Sequence, residues 1–210
     1  MKFQNVLPGD IEKRSFEMIG EELGRELPAD LAPIIKRVIH TSADFDYADN
    51  LVFSPDVLAK ALTALKSGAT IITDTQMAKA GINKAALSKL GCTVDCYISS
   101  PDVVESAKEK GTTRACAAVD KACRLTGPVI FAVGNAPTAL IRLYENMEAG
   151  EIEPALIIGV PVGFVNVVES KELIIESTVP HIVARGRKGG SNVAAAIVNA
   201  LLYLATDRVL

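Results

Sequence analysis

Tryptophan is absent from the chain, and aromatic side chains make up only 5% of its 210 residues. Few rings exist on which bases could stack, and a formal net charge of −3 supplies no basic field for a phosphate backbone. These two shortages exclude a nucleic-acid reader. Histidine is almost as scarce, with only His40 and His181, far apart in sequence. The four cysteines (Cys92, Cys96, Cys116, Cys123) form no Cys-x-x-Cys pair. Without tight ligand spacing no metal site is expected, and reduced thiols in a cytoplasmic protein are. Long apolar runs are missing too: none approaches the ~20 residues of a bilayer span. The opening Met1-Lys2-Phe3-Gln4-Asn5 carries no basic-then-apolar signal pattern. The glycine fingerprint Gly-x-Gly-x-x-Gly and the phosphate-loop Gly-Lys-Ser/Thr pattern are also absent, which disfavours a nucleotide-dependent enzyme.

What is present is an ordinary globular balance, 49% apolar and 22% charged. No repeat, low-complexity block or charge run divides the chain, so a single domain over residues 1–210 is expected, with an N-terminal helical extension. Asp10 can cap a helix through Phe16, Ile19 and Leu23, and a second helix from about Asp30 to His40 carries Leu31, Ile34, Ile35 and Val38 along one side. Ser54-Pro55-Asp56 reads as cap, first-turn proline and first-turn acid of a helix through Leu65, stopped by Gly68. Beyond it, short apolar runs over 69–72, 93–98, 128–133, 155–158 and 181–184 alternate with helical stretches over 101–110, 114–125, 137–147, 167–176 and 190–204. Strands apolar on both faces and separated by helices predict a mainly parallel sheet covered on both sides. The fold class is therefore α/β, a three-layer, doubly wound sandwich.

In such a sheet, ligands collect at the carboxyl ends of the strands. The last strand runs into Arg185-Gly186-Arg187-Lys188-Gly189-Gly190-Ser191-Asn192, which delivers cations and a glycine turn to a helix start. Free N–H groups and the positive end of the helix dipole there suit a carboxylate or phosphate. A plain basic surface loop is the competing reading. His40 lies at the end of the second helix, outside its apolar stripe, with Arg37 one turn before it and Asp44 shortly after. Histidine as a residue type suits general acid work, although a helix-end histidine is more often a cap or a surface group. His181 alternates with Val179 and Val183 and reads as a core or boundary residue. Arg114 opens a helix behind Thr112-Thr113, against the dipole preference, which suggests an anionic partner. Asp74 fits either a hydrogen-bond orienter or a turn cap.

Several segments, in order, resemble the precorrin-8X methylmutase family of cobalamin biosynthesis. They are Glu12-Lys13-Arg14-Ser15-Phe16, Arg37-Val38-Ile39-His40, Val52-Phe53-Ser54-Pro55-Asp56 and Thr112-Thr113-Arg114, then Gly134-Asn135-Ala136-Pro137-Thr138-Ala139-Leu140 and Pro161-Val162-Gly163-Phe164-Val165, and finally Glu169-Ser170-Lys171 and the Arg185–Ser191 stretch. The set spans almost the whole chain, to about residue 192. The resemblance implies a flavodoxin-like sheet, a homodimer with a corrinoid macrocycle near the subunit interface, and a methyl shift from carbon 11 to carbon 12. It implies no cofactor, and the substrate is a tetrapyrrole with or without cobalt. The family's catalytic histidine falls on His40, and its substrate contacts fall on Ser15 and Arg37. Arg114, Lys171, Arg185, Gly189, Gly190 and Ser191 complete the expected substrate-binding set, on the ground that the macrocycle's acetate and propionate arms need cations and N–H donors. A corrinoid carrier that binds without catalysis is the alternative reading.

Overall fold

The structure, a computed structural model, describes residues 5–208. A 3-10 turn at Pro8–Asp10 leads into α1 (Ile11–Leu23), followed by α2 (Ala32–Ser42) and α3 (Tyr47–Asn50). The chain then alternates through β1 (Leu51–Phe53), α4 (Val57–Lys66), β2 (Thr70–Thr73), α5 (Gln76–Gly81), α6 (Lys84–Lys89) and β3 (Thr93–Asp95). It continues with α7 (Pro101–Glu109), α8 (Arg114–Ala122), β4 (Val129–Val133), α9 (Pro137–Glu148), β5 (Leu156–Gly159), α10 (Val167–Glu176), β6 (His181–Ala184) and α11 (Ser191–Ala205).

One six-stranded sheet in the order β1-β6-β5-β4-β2-β3 organises these elements. β2 through β6 pair in parallel, in the doubly wound order typical of flavodoxin-like folds, and β1 adds an antiparallel strand at the β6 edge. The expected three-layer α/β sandwich is thus observed. Alternation along the strands explains the layers. Ile71, Ile130, Leu156, Ile158 and Ile182 face one way and join the core built with α2, α4 and α11. Ile72, Phe131, Ile157 and Val183 face the other way, towards α8, α9 and α10. Each such side chain, fully buried, contributes about 1.5–3 kcal/mol, so the apolar runs by themselves favour coverage of both faces.

Four local expectations change. The Val52-Phe53 segment is a strand, β1, so the N-terminal part is not purely a helical extension. The strand is only three residues long and shows no alternation of its own; its partner β6 defines it. Ser54 does not cap α4. Its hydroxyl accepts the His181 N–H (2.9 Å), and α4 starts after Asp56, which adopts a left-handed conformation (φ 57°). The run over 93–98 is a strand only to Asp95, which pairs with Ile72; at the next residue of β2 the Thr73 hydroxyl donates to the Asp95 carbonyl (3.3 Å). Asp10 likewise makes no side-chain cap bond to α1.

His181 is buried in β6, with Nδ1 against the Val179 carbonyl at 2.9 Å. Burial pushes its pKa below the ordinary 6.5. The unfolded chain therefore takes up a proton near 6.5 while the folded chain does so only at lower pH. The corresponding stability is present above 6.5 and lost as the pH falls below it. Urea unfolding at about pH 5.5 should show a lower midpoint than at about pH 7.5, and His181→Leu should flatten that difference.

Candidate functional site

The carboxyl ends of the parallel strands form one edge, and the topological switch point lies between β2 and β4. There the chain after β2 crosses to the chain after β4. Asp74 Oδ1 accepts the Gly134 N–H (2.9 Å), and Oδ2 accepts those of Asn135 and Ala136 (both 2.7 Å). Burial pushes the Asp74 carboxyl up from its ordinary pKa, and the three N–H donors oppose that shift. The neighbouring Thr75 hydroxyl lies 2.7 Å from that of Ser191 and so reaches the start of α11. Gly134 permits this meeting: a Cβ there would stand 2.7 Å from Ser191 Cα. Asp74 is thus an orienter of backbone rather than a plain turn cap.

The Arg185–Ser191 loop is anchored on its far side. A Cβ on Gly189 would fall 2.1 Å from the Val160 carbonyl oxygen, so the loop can pack against the chain after β5 only with glycine there. The Gly190 N–H donates to that carbonyl (2.9 Å). It is therefore not available to cap a substrate arm, which corrects the expectation for that group. Lys171, on α10, is fully buried and donates Nζ to the carbonyls of Gly186 (2.7 Å) and Lys188 (2.8 Å). Its ammonium lies beneath the loop. Burial lowers its pKa to about 8. Arg185 is exposed and holds Glu172 with two contacts (3.0 and 3.2 Å). Arg187 lies over the Phe164 ring at 5.4 Å.

The same loop holds α2. Lys188 Nζ contacts Asp44 (2.7 Å) and Asp46 (2.6 Å), and this lowers the Asp44 pKa. Asp44, which follows His40 closely in sequence, thus has Lys188 as its partner. The clip brings the end of α2, one turn beyond His40, to the strand edge. Exposed ion pairs of this kind contribute roughly 0–1 kcal/mol, so the loop's shape depends more on the buried Lys171 and the Gly189 contact.

His40 is exposed in the last turn of α2, and its ring meets that of Phe16 edge-on at 5.8 Å and 70°. Arg37 is on the same side but buried, stacked between Phe16 (5.1 Å) and Tyr203 (4.9 Å) and paired with Glu12. Its Nε and Nη2 are buried, with no hydrogen-bond partner among the described residues. The Ser15 hydroxyl donates back to the Ile11 carbonyl (2.8 Å). Arg114 is exposed at the start of α8. The contact between the Thr113 and Thr138 hydroxyls (3.1 Å) sets that start beside α9, which follows the Gly134–Ala136 segment.

The structure thus gathers His40, the Arg185–Ser191 loop, Ser191 and Arg114 on or next to one edge. Of the expected cations, Arg37, Lys171 and Arg185 have internal partners, while Arg114 and Arg187 face no carboxylate among the described residues. Glu12, Phe16 and Tyr203 receive no role of their own from the sequence. An acid at i and an aromatic at i+4 on α1 was the available signal for the first two, and it acquires meaning only once α1 lies on α2. Among the described residues, no group of three or more His, Cys, Asp or Glu side chains is placed to hold a metal ion. No described helix is long and apolar enough to cross a membrane.

Comparison with known proteins gives a consistent result. The profile of the family described as CbiC, precorrin-8X methylmutase, matches residues 10–204. The cobalt-precorrin-8 methylmutase of Priestia megaterium is 45% identical over 205 residues, covering 97% of this chain and 91% of its own. That of Salmonella typhimurium strain LT2 is 49% identical over 204 residues, covering 93% and 95%. The crystal structure of the precorrin-8X methyl mutase from Thermus thermophilus superposes with a TM-score of 0.87 at 40% identity, covering 94% of this chain and 98% of that one.

Replacing Lys171 with Met would leave the Gly186 and Lys188 carbonyls without their donor. The variant should lose about 1–3 kcal/mol in urea unfolding, with amide exchange accelerated selectively over residues 185–190.

Proposed function

Because the chain belongs to the precorrin-8X methylmutase family and is an isomerase of corrin-ring biosynthesis, we propose that His40 is the acid of its methyl shift. In this reading the substrate is precorrin-8X or its cobalt-bearing counterpart, and the product is hydrogenobyrinate or cobyrinate. The observation that carries it is the position of His40: the one exposed imidazole, at the end of α2 that Lys188 clips to the strand edge.

A one-substrate rearrangement gains nothing from bringing reactants together, so its barrier must fall through charge and proton placement. His40 gives a proton to a ring nitrogen or to the conjugated system beside the migrating group, which makes the acceptor carbon electron-poor. The bond from the methyl to carbon 11 then breaks as the bond to carbon 12 forms. The proton returns to His40, so substrate and product are isomers and no co-reactant is consumed.

Binding divides between two sets of residues. Arg114 and Arg187, without carboxylate partners among the described residues, take the substrate's carboxylate arms; each charge-assisted hydrogen bond supplies ~1.5–3 kcal/mol. Ser191 and the first-turn N–H groups of α11, which lack intrahelical acceptors, receive another arm. Ser15 lies on α1 one residue before Phe16 and contributes to the wall near His40. Arg37, Lys171, Arg185, Gly189 and Gly190 shape the site from behind it.

The same reading includes a cytoplasmic homodimer. Val162, Phe164 and Val165 cluster on the chain after β5, and Phe164 and Val165 are each 79% exposed, an apolar surface suited to burial against a second copy. Sedimentation at micromolar concentration should give a dimer; monomer alone would remove the dimer and the interface-bound substrate with it.

The decisive test incubates the protein with precorrin-8X and, separately, its cobalt form, following the visible spectrum. The methyl shift alters the conjugated path, so one form should convert. His40→Ala should lose on the order of 10²–10⁴ in turnover while still binding. A wild-type protein that binds either form without spectral change, beside an active control, would be a carrier.

A further inference from the structure

Phe16 lies on α1, a helix with little of its own buried: Ile19 is its one buried residue. The ring is nevertheless fixed from several directions. Lys36 Nζ donates to the Phe16 carbonyl (3.2 Å), and the Arg37 guanidinium sits 5.1 Å from the ring centre. One turn back, Glu12 pairs with the same Arg37. Residues 12 and 16 of α1 thus interlock with residues 37 and 40 of α2, an i, i+4 pair against an i, i+3 pair. The Phe16 ring, packed against the core, also meets the imidazole of His40 edge-on.

His40 needs such a support. Of the two imidazoles, only that of His181 is hydrogen-bonded among the described residues. An exposed side chain without an anchor samples its staggered rotamers freely. Proton transfer requires the donor nitrogen within hydrogen-bond reach of its target, and a displacement of about 1 Å can cost on the order of 100-fold. We propose that Phe16 is the positioning residue for His40, and that α1 is thereby a working wall of the site. The proposal rests on His40 as the acid, but its geometric half is read independently.

The chain's two histidines make the test direct. In the full-length protein with labelled histidine, the His40 ring protons should show nuclear Overhauser contacts to the Phe16 ring. Phe16→Leu should abolish these contacts and displace the His40 signals while those of His181, buried in β6, stay in place and report an intact fold. The same variant should lower kcat roughly tenfold or more and leave KM within about twofold. Phe16→Tyr should restore both spectrum and rate. Phe16→Met, which keeps the volume and lacks the ring, serves as the second variant if the His181 signals move in the first. His40 signals unchanged in the variant whose His181 signals hold, or turnover at the wild-type rate, would overturn the proposal. Should His40→Ala retain turnover, the acid assignment falls, and the spectra alone still decide whether Phe16 orients the ring.

Discussion

The carboxylate of Asp74, accepting three consecutive backbone N–H groups across the switch point, is the interaction on which the candidate site depends. Two parallel strands diverge there, and the chain after each would otherwise be free to choose its course. A buried carboxylate is unfavourable unless its charge is met by donors, and here the donors are main-chain groups that themselves lack partners in the turn. Each need satisfies the other. The result is a fixed segment after β4, against which Gly134 admits the start of α11.

From that junction the order propagates outward through Thr75 and Ser191 to the loop that precedes α11, and through Lys188 to α2. Two kinds of force act along the way. Buried contacts, the Lys171 ammonium on two carbonyls and the close approach at Gly189, determine where the backbone goes. Exposed ion pairs, Arg185 with Glu172 and Lys188 with Asp44 and Asp46, add little energy but select which neighbouring segment the loop faces. The outcome is a division of labour among cations. Those with protein partners hold the loop and helices in place, while Arg114 and Arg187 face no carboxylate among the described residues.

The N-terminal helix illustrates how little burial is needed to give a segment a role. Ile19 alone of α1 is buried, whereas α11 is apolar along most of its length. What couples α1 to the site is the stack of Arg37 between Phe16 and Tyr203, closed by Glu12. Cation–π contacts to a desolvated guanidinium contribute on the order of 2 kcal/mol, enough to dock a helix whose apolar face is narrow.

The layered α/β fold was legible from the sequence because apolar runs of strand length, punctuated by helices, have one physical solution: a parallel sheet covered on both faces. The placement of His40 at the end of α2, and of Arg114 and Ser191 at the starts of α8 and α11, was legible too, since position at a helix end is a local property. What only the tertiary structure decided was the partner of each charge. Lys171, Arg37 and Arg185 read alike as ligand cations along the chain, yet Lys171 is buried under two carbonyls, Arg37 is stacked between rings and Arg185 is paired with Glu172. The short strand β1 and the His40–Phe16 contact were hidden for the same reason. A charge or a ring has no partner until elements distant in sequence are packed, and packing, which depends on volume and register across the whole core, leaves no local trace.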